Sequence, residues 1–197
     1  MALTAASGDA AEEMGGAVVA DATALVAGRI PLTCRHLLAL GRQRVAFLGT
    51  ASQQYPEFAE RHRGYAQALR TGHCVADPRL QVDAVSAQQS GYEAACALLA
   101  RDVPFDAIFA ASDLIAIGAM QALGEHGRRV PEDVAVVGFD DIPMASFVNP
   151  ALTTVAQDSG RAGELLVGNL LKLIHGQPVE SAMFPAQLVV RRSCGSR

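Results

Sequence analysis

Two short runs carry the oxygen atoms from which a binding site could be built: Ser112-Asp113 and Phe139-Asp140-Asp141. An ionised carboxylate is acceptor-only, so it takes hydrogens from ligand hydroxyls or from a cation, whereas a serine hydroxyl both donates and accepts. The same residues also have a plainer use. Ser112 or Asp113 can cap a helix, and Asp140-Asp141 can shape a turn.

The elements that place them lie in Phe105 to Asp141. Ala107-Ile108-Phe109-Ala110 is a short apolar run without polar alternation, which predicts a strand buried on both faces. Behind Ser112-Asp113, Leu114, Ile117, Gly118, Gln121 and Ala122 fall at helical spacing, with Gly127 as the stop. Val130-Pro131 turns the chain into Val134-Ala135-Val136-Val137, the next buried strand. A strand, helix and strand in that order predict parallel strands joined by a right-handed crossover. Both acidic runs then follow the carboxyl ends of parallel strands, the edge where open α/β sheets bind ligands.

The chain of 197 residues is half hydrophobic, enough to bury a core. No apolar run approaches the roughly 18 residues of a membrane span, and Met1 to Asp9 lacks the pattern of a secretory signal. A soluble, cytoplasmic protein with no membrane partner is expected. A net charge of −4 does not suggest a phosphate-binding surface, and the clusters Arg61/Arg63, Arg128-Arg129 and Arg191-Arg192 read as solvated faces. Cys34, Cys74, Cys96 and Cys194 show no ligand spacing, and five scattered histidines form no zinc motif. Neither a metal nor a cofactor is expected.

Met1 to Gly16 reads as a leader, residues 1–28 as leader and connection, and Ala17 to Ala20 as a possible strand. Helices are expected over Leu32–Leu40, Phe58–Leu69, from Ser90 through Leu99, and over Arg161–His175. The third would be capped by Ser90 and face the core with Tyr92, Ala95/Cys96 and Leu99; strands are expected at Arg44–Leu48, Leu80–Ala84, Thr153–Val155 and Ala186–Val190. Such alternation predicts α/β layering around a mostly parallel sheet with helices on both faces.

The wording of several stretches adds a resemblance. AIFAASDLIAIGAMQAL and GRRVPEDVAVVGFDDIP are similar to the effector-binding domain of the LacI/GalR family of bacterial transcription regulators. So are HLLALGRQRVAFLG, Arg61-His62-Arg63-Gly64-Tyr65, NPALTTVAQD and FPAQLVVRRS, from roughly Arg35 to Ser193. The resemblance implies a type I periplasmic-binding-protein-like fold, mainly its C-terminal lobe, with ligand held in a cleft between two lobes.

It also implies site residues. Arg61, three positions before Gly64, matches the family's effector arginine, and its planar fork suits paired hydroxyls or a carboxylate. Asp140 matches the ligand carboxylate, with Phe139 beside it, and Ser112 stands where asparagine is common. Ser86 occupies a position that usually holds a stacking aromatic, and Ser159 another where some members place one. The implied partners are a small-molecule effector, such as a sugar, and a second copy of the chain. Operator DNA is implied only through a helix-turn-helix headpiece. Headpiece, hinge and first lobe are not visible before Arg35, so residues 29–197 are expected to be a truncated sensing domain. In the family, helix 161–175 belongs to the other lobe.

A periplasmic sugar-binding protein of the same fold is the competing expectation, and the missing signal pattern weighs against it. An enzyme is not expected, because GxSxG, GxGxxG and P-loop motifs are all absent.

Overall fold

The computed structural model describes residues 30–85, 87–179 and 186–196. Ser86, the leader and the possible strand Ala17 to Ala20 lie outside them. Six strands and six α-helices are found among the described residues.

Four strands form a parallel sheet in the order β2-β1-β3-β4: β1 (Val45–Leu48), β2 (Gln81–Val82), β3 (Ala107–Ala110) and β4 (Ala135–Val137). Every residue of β1, β3 and β4 is buried, as their unalternated apolar runs require. β2 holds two residues rather than the expected five, because a 3-10 turn at Pro78–Leu80 takes the start of that run.

Helices α2 (Pro56–Thr71), α3 (Gln88–Ala100) and α4 (Asp113–Glu125) make the crossovers, after α1 (Ile30–Ala39). From β1 the chain steps outward to β2, then reverses across β1 to β3 and β4. Right-handed crossovers in opposite directions put α2 on one face of the sheet and α3 and α4 on the other. The contacts agree, since α1 packs on α2 and α3 packs on α4. The reversal makes the gap between β1 and β3 the topological switch point, where doubly wound sheets open a crevice.

The α3–α4 crossing is unusually close. A Cβ at Gly118 would lie 1.9 Å from the Gln88 carbonyl oxygen, and one at Gly91 would lie 2.2 Å from that of Ile115. Backbone therefore lies on backbone at the two glycines. α3 fully buries Gly91, Ala94, Ala95 and Leu98, with the expected Tyr92, Cys96 and Leu99 partly buried against the core, and α4 buries the expected Ile117, Gly118 and Ala122 together with Ile115, Ala119 and Leu123, while Leu114 and Gln121 are exposed. Ser90 does not cap α3, since its Oγ accepts a hydrogen bond from the Val85 N–H at 3.1 Å.

Past β4, the chain forms a short helix, α5 (Met144–Phe147). β5 (Thr154–Ala156) and β6 (Gln187–Val189) form an antiparallel pair. Thr153, just before β5, bridges in parallel to Val137, extending the main sheet. α6 (Ser159–Ile174) follows β5 closely, capped by Asp158, whose Oδ1 accepts from the Arg161 N–H at 3.0 Å.

Candidate functional site

Arg61 sits mid-way along α2, on the turn after Phe58, and is only 6% exposed. Its guanidinium reaches across the switch point. One Nη donates to the Ala111 carbonyl at the end of β3, and the other donates to Asp140 Oδ1 at 3.0 Å, beyond the end of β4. The group lies 4.0 Å from the centre of the Phe139 ring and 5.4 Å from that of Phe58. Aromatic faces attract a planar cation, so these rings compensate part of its lost hydration. Burial lowers the Arg61 pKa, opposed by the Asp140 charge. Its Nε, also buried, has no hydrogen-bond partner.

Asp140 is held in an uncommon backbone conformation, φ 108°, by a bond from its N–H to the Val155 carbonyl at 3.0 Å. That twist presents a carboxylate which is 38% exposed even while paired to Arg61. Asp141, φ 50°, turns the other way and accepts from Arg191 at 2.7 Å. Arg191 is thus half-buried and ion-paired rather than part of a solvated face, while Arg129 pairs with Asp133 at 2.6 Å.

Ser112 and Asp113 divide the two plain roles differently from a simple cap. Ser112 is 1% exposed and its Oγ accepts from the Ile115 N–H, capping α4. Asp113 turns inward and is fully buried, where Oδ1 accepts from the Thr154 hydroxyl at 2.5 Å and Oδ2 from the Ile142 N–H at 2.9 Å. Burial pushes its pKa up to about 6, opposed by those two hydrogen bonds. It is a clamp between α4, the loop after Asp141, and β5.

The structure therefore brings Arg61, Phe139 and Asp140 into direct contact, with Ser112 one residue from the Ala111 carbonyl that Arg61 binds. Ser86 is outside the described residues, and Ser159 begins α6. Sequence reading missed Phe58 and Tyr55, which stack with ring centres 6.0 Å apart at the start of α2. Phe58 could have been found, since it precedes Arg61 by one helical turn. Asp113 as a clamp had no signal, because its partners Thr154 and Ile142 are remote in sequence. At this cluster the Asp140 carboxylate is the part open to solvent, while the Arg61 side chain is buried. A concavity of about 590 Å³ beside Leu38, Arg42, Arg44 and Cys74 lies elsewhere.

Residues 34–194 match the family described as a periplasmic binding protein-like domain. The transcriptional regulator AscG of Escherichia coli K12 is 38% identical over 141 residues, 72% of this chain and 42% of AscG. The chain belongs to the periplasmic-binding-protein-like domain family, in the form carried by LacI/GalR regulators. It resembles the CelR–cellobiose complex with a TM-score of 0.80 and 34% identity, covering 85% of this chain and 51% of CelR. It resembles the lac repressor dimer bound to operator with a TM-score of 0.76 and 32% identity, covering 83% of this chain and 57% of the repressor. The chain spans about half the length of the curated relatives it matches. Those relatives are transcriptional regulators. No described helix is long and apolar enough to cross a membrane.

Proposed function

We propose that this chain is the effector-sensing part of a cytoplasmic LacI/GalR-type regulator, that it performs no turnover, and that its ligand is a neutral, hydroxyl-rich molecule of the sugar class. The sensing domain runs over residues 29–197, with α6 belonging to the lobe opposite the sheet. The observation that carries this reading is the Arg61–Asp140 pair, part-open at the sheet's switch point. Arg61 is already balanced by Asp140 and Arg191 by Asp141, so an anionic ligand would find no uncompensated cation at this cluster. A neutral polyol can instead donate to the exposed carboxylate oxygen and accept from the guanidinium edge. The CelR complex with cellobiose supports the same class.

Titration calorimetry with cellobiose and a panel of neutral and acidic sugars tests this. Weak binding, in the millimolar range, is expected, because one wall cannot desolvate a ligand as two do. Loss of the heat in Arg61→Ala would place the ligand. Binding of acidic sugars in preference to neutral ones, or binding untouched by Arg61→Ala, would overturn the reading. A second copy of the chain is the proposed protein partner, and operator DNA is reached only through a separate headpiece.

A further inference from the structure

At the end of the sheet away from Asp140, beside the amino ends of β1 and β2, the surface holds the concavity of about 590 Å³. Helices α1 and α2 both stop at its edge, and the chain leaves them through two left-handed residues, Gly41 at φ 86° and His73 at φ 55°. Leu38 and the buried Leu80 supply apolar surface inside it, and Val75 on its lining is left 87% exposed. The volume falls within the range of small-molecule sites, roughly 300–1,000 Å³.

Its charge is not balanced. Arg42 and Arg44 line it, and Asp77 is the one lining carboxylate. Asp77 is already taken, since its two oxygens accept from Arg79 Nε and Nη at 3.1 and 2.8 Å. Arg42 donates to the carbonyls of Asp106 and Pro131 at 3.2 and 2.6 Å and forms no ion pair among the described residues. Arg44 donates through Nε to the Pro104 carbonyl, while its Nη2 stands 3.7 Å from Asp77, too far for a hydrogen bond. Its side chain is 43% exposed, and both Nη groups lack an acceptor among the described residues. A guanidinium edge in that state matches the two oxygens of a carboxylate. The effector cluster offers nothing similar, because Arg61 and Arg191 are each paired there with an aspartate.

We infer that this concavity is a second ligand site, which takes a small organic anion. A carboxylate sits on the Nη edge of Arg44, and a short apolar body covers Leu38, Val75 and Leu80. The inference goes beyond the effector reading and does not depend on it.

Cys74, a partly buried free thiol on the lining, reports on occupancy. Phenylacetate is the probe, and the readout is the rate at which iodoacetamide alkylates Cys74, followed by peptide mass mapping with Cys96 as internal control. Phenylacetate in the millimolar range should slow Cys74 at least threefold and leave Cys96 unchanged. Phenylacetamide lacks the charge and inorganic phosphate lacks the apolar body, so each should protect far less. Arg44→Gln should abolish the protection. So should Val75→Glu, at a position too exposed for the fold to depend on it, with urea midpoints showing that both variants are folded. Calorimetry with phenylacetate on the same proteins gives a second readout. Equal protection by phenylacetamide would mean an apolar groove without anion selectivity, and equal protection by phosphate a bare charge effect; either overturns the inference. Absence of protection and of binding heat overturns it as well. Protection that cellobiose competes away would place the probe at the effector cluster, which overturns the second site and leaves the proposed function standing.

Discussion

Arg61 is held by three unlike partners at once: a backbone carbonyl, a carboxylate and an aromatic face. Only a planar fork can serve all three, so lysine is not a conservative replacement. Arg61→Lys is expected to weaken ligand binding at least tenfold and to lower stability by about 1–2 kcal/mol, discounted for the exposed Asp140. Calorimetry and urea midpoints check the two separately. Asp113 makes a different prediction. Its pKa in the folded chain, about 6, stands above the ordinary 3.8. The folded state thus holds the proton more tightly, and this contribution is complete below about pH 4 and lost as pH rises through 6. Two pKa units correspond to at most about 3 kcal/mol. Asp77, Asp133 and Glu125 are shifted down, so their effect runs the other way. The decisive quantity is the difference between wild type and Asp113→Asn, which should shrink from pH 4 to 6.5 by a comparable amount. A difference that does not change with pH would refute the shift.

At the scale of elements, the α3–α4 crossing depends on the missing side chains of Gly91 and Gly118. Gly118→Ala must push α3 away at Gln88 and Tyr92, and is expected to cost about 1–3 kcal/mol or more. Gly124→Ala, in the same helix with nothing within 4 Å, should stabilise by about 0.5–1 kcal/mol. Thermal unfolding of both reads the contrast, and equal effects would mean that the crossing relaxes freely. This crossing also marks where sequence legibility failed. Apolar periodicity located α3 and α4 and most of their core-facing residues, but not the backbone contact at Gly91 and Gly118, which hydrophobic spacing does not record. β3 and the Ser112 cap were legible because both are local. Ser90 was misread because its partner, Val85, precedes the helix instead of opening it. At the site, Arg61 and Asp140 were named through family wording, whereas their pairing needed the strand order that brings α2 and the end of β4 together.

For the whole molecule, charge decides what the sensing part can touch unaided. A net charge of −4 works against the phosphate neutralisation that DNA binding needs. The chain alone is expected to leave operator-like DNA unshifted in a gel at about 100 mM salt, and tight salt-sensitive binding would contradict this.

The stitching of β5 has a mechanical meaning. Gly138 donates to Thr153, Asp140 donates to Val155, and the Thr154 hydroxyl donates to Asp113. Three consecutive residues at the opening of one short strand thus grip both acidic runs, and only Gln157 and Asp158 separate that strand from α6. α6 is a lever on a stub axle. The Val155 carbonyl that holds the Asp140 N–H lies four residues before the first residue of α6. A displacement of α6 is therefore expected to reach the Asp140 backbone through this one bond.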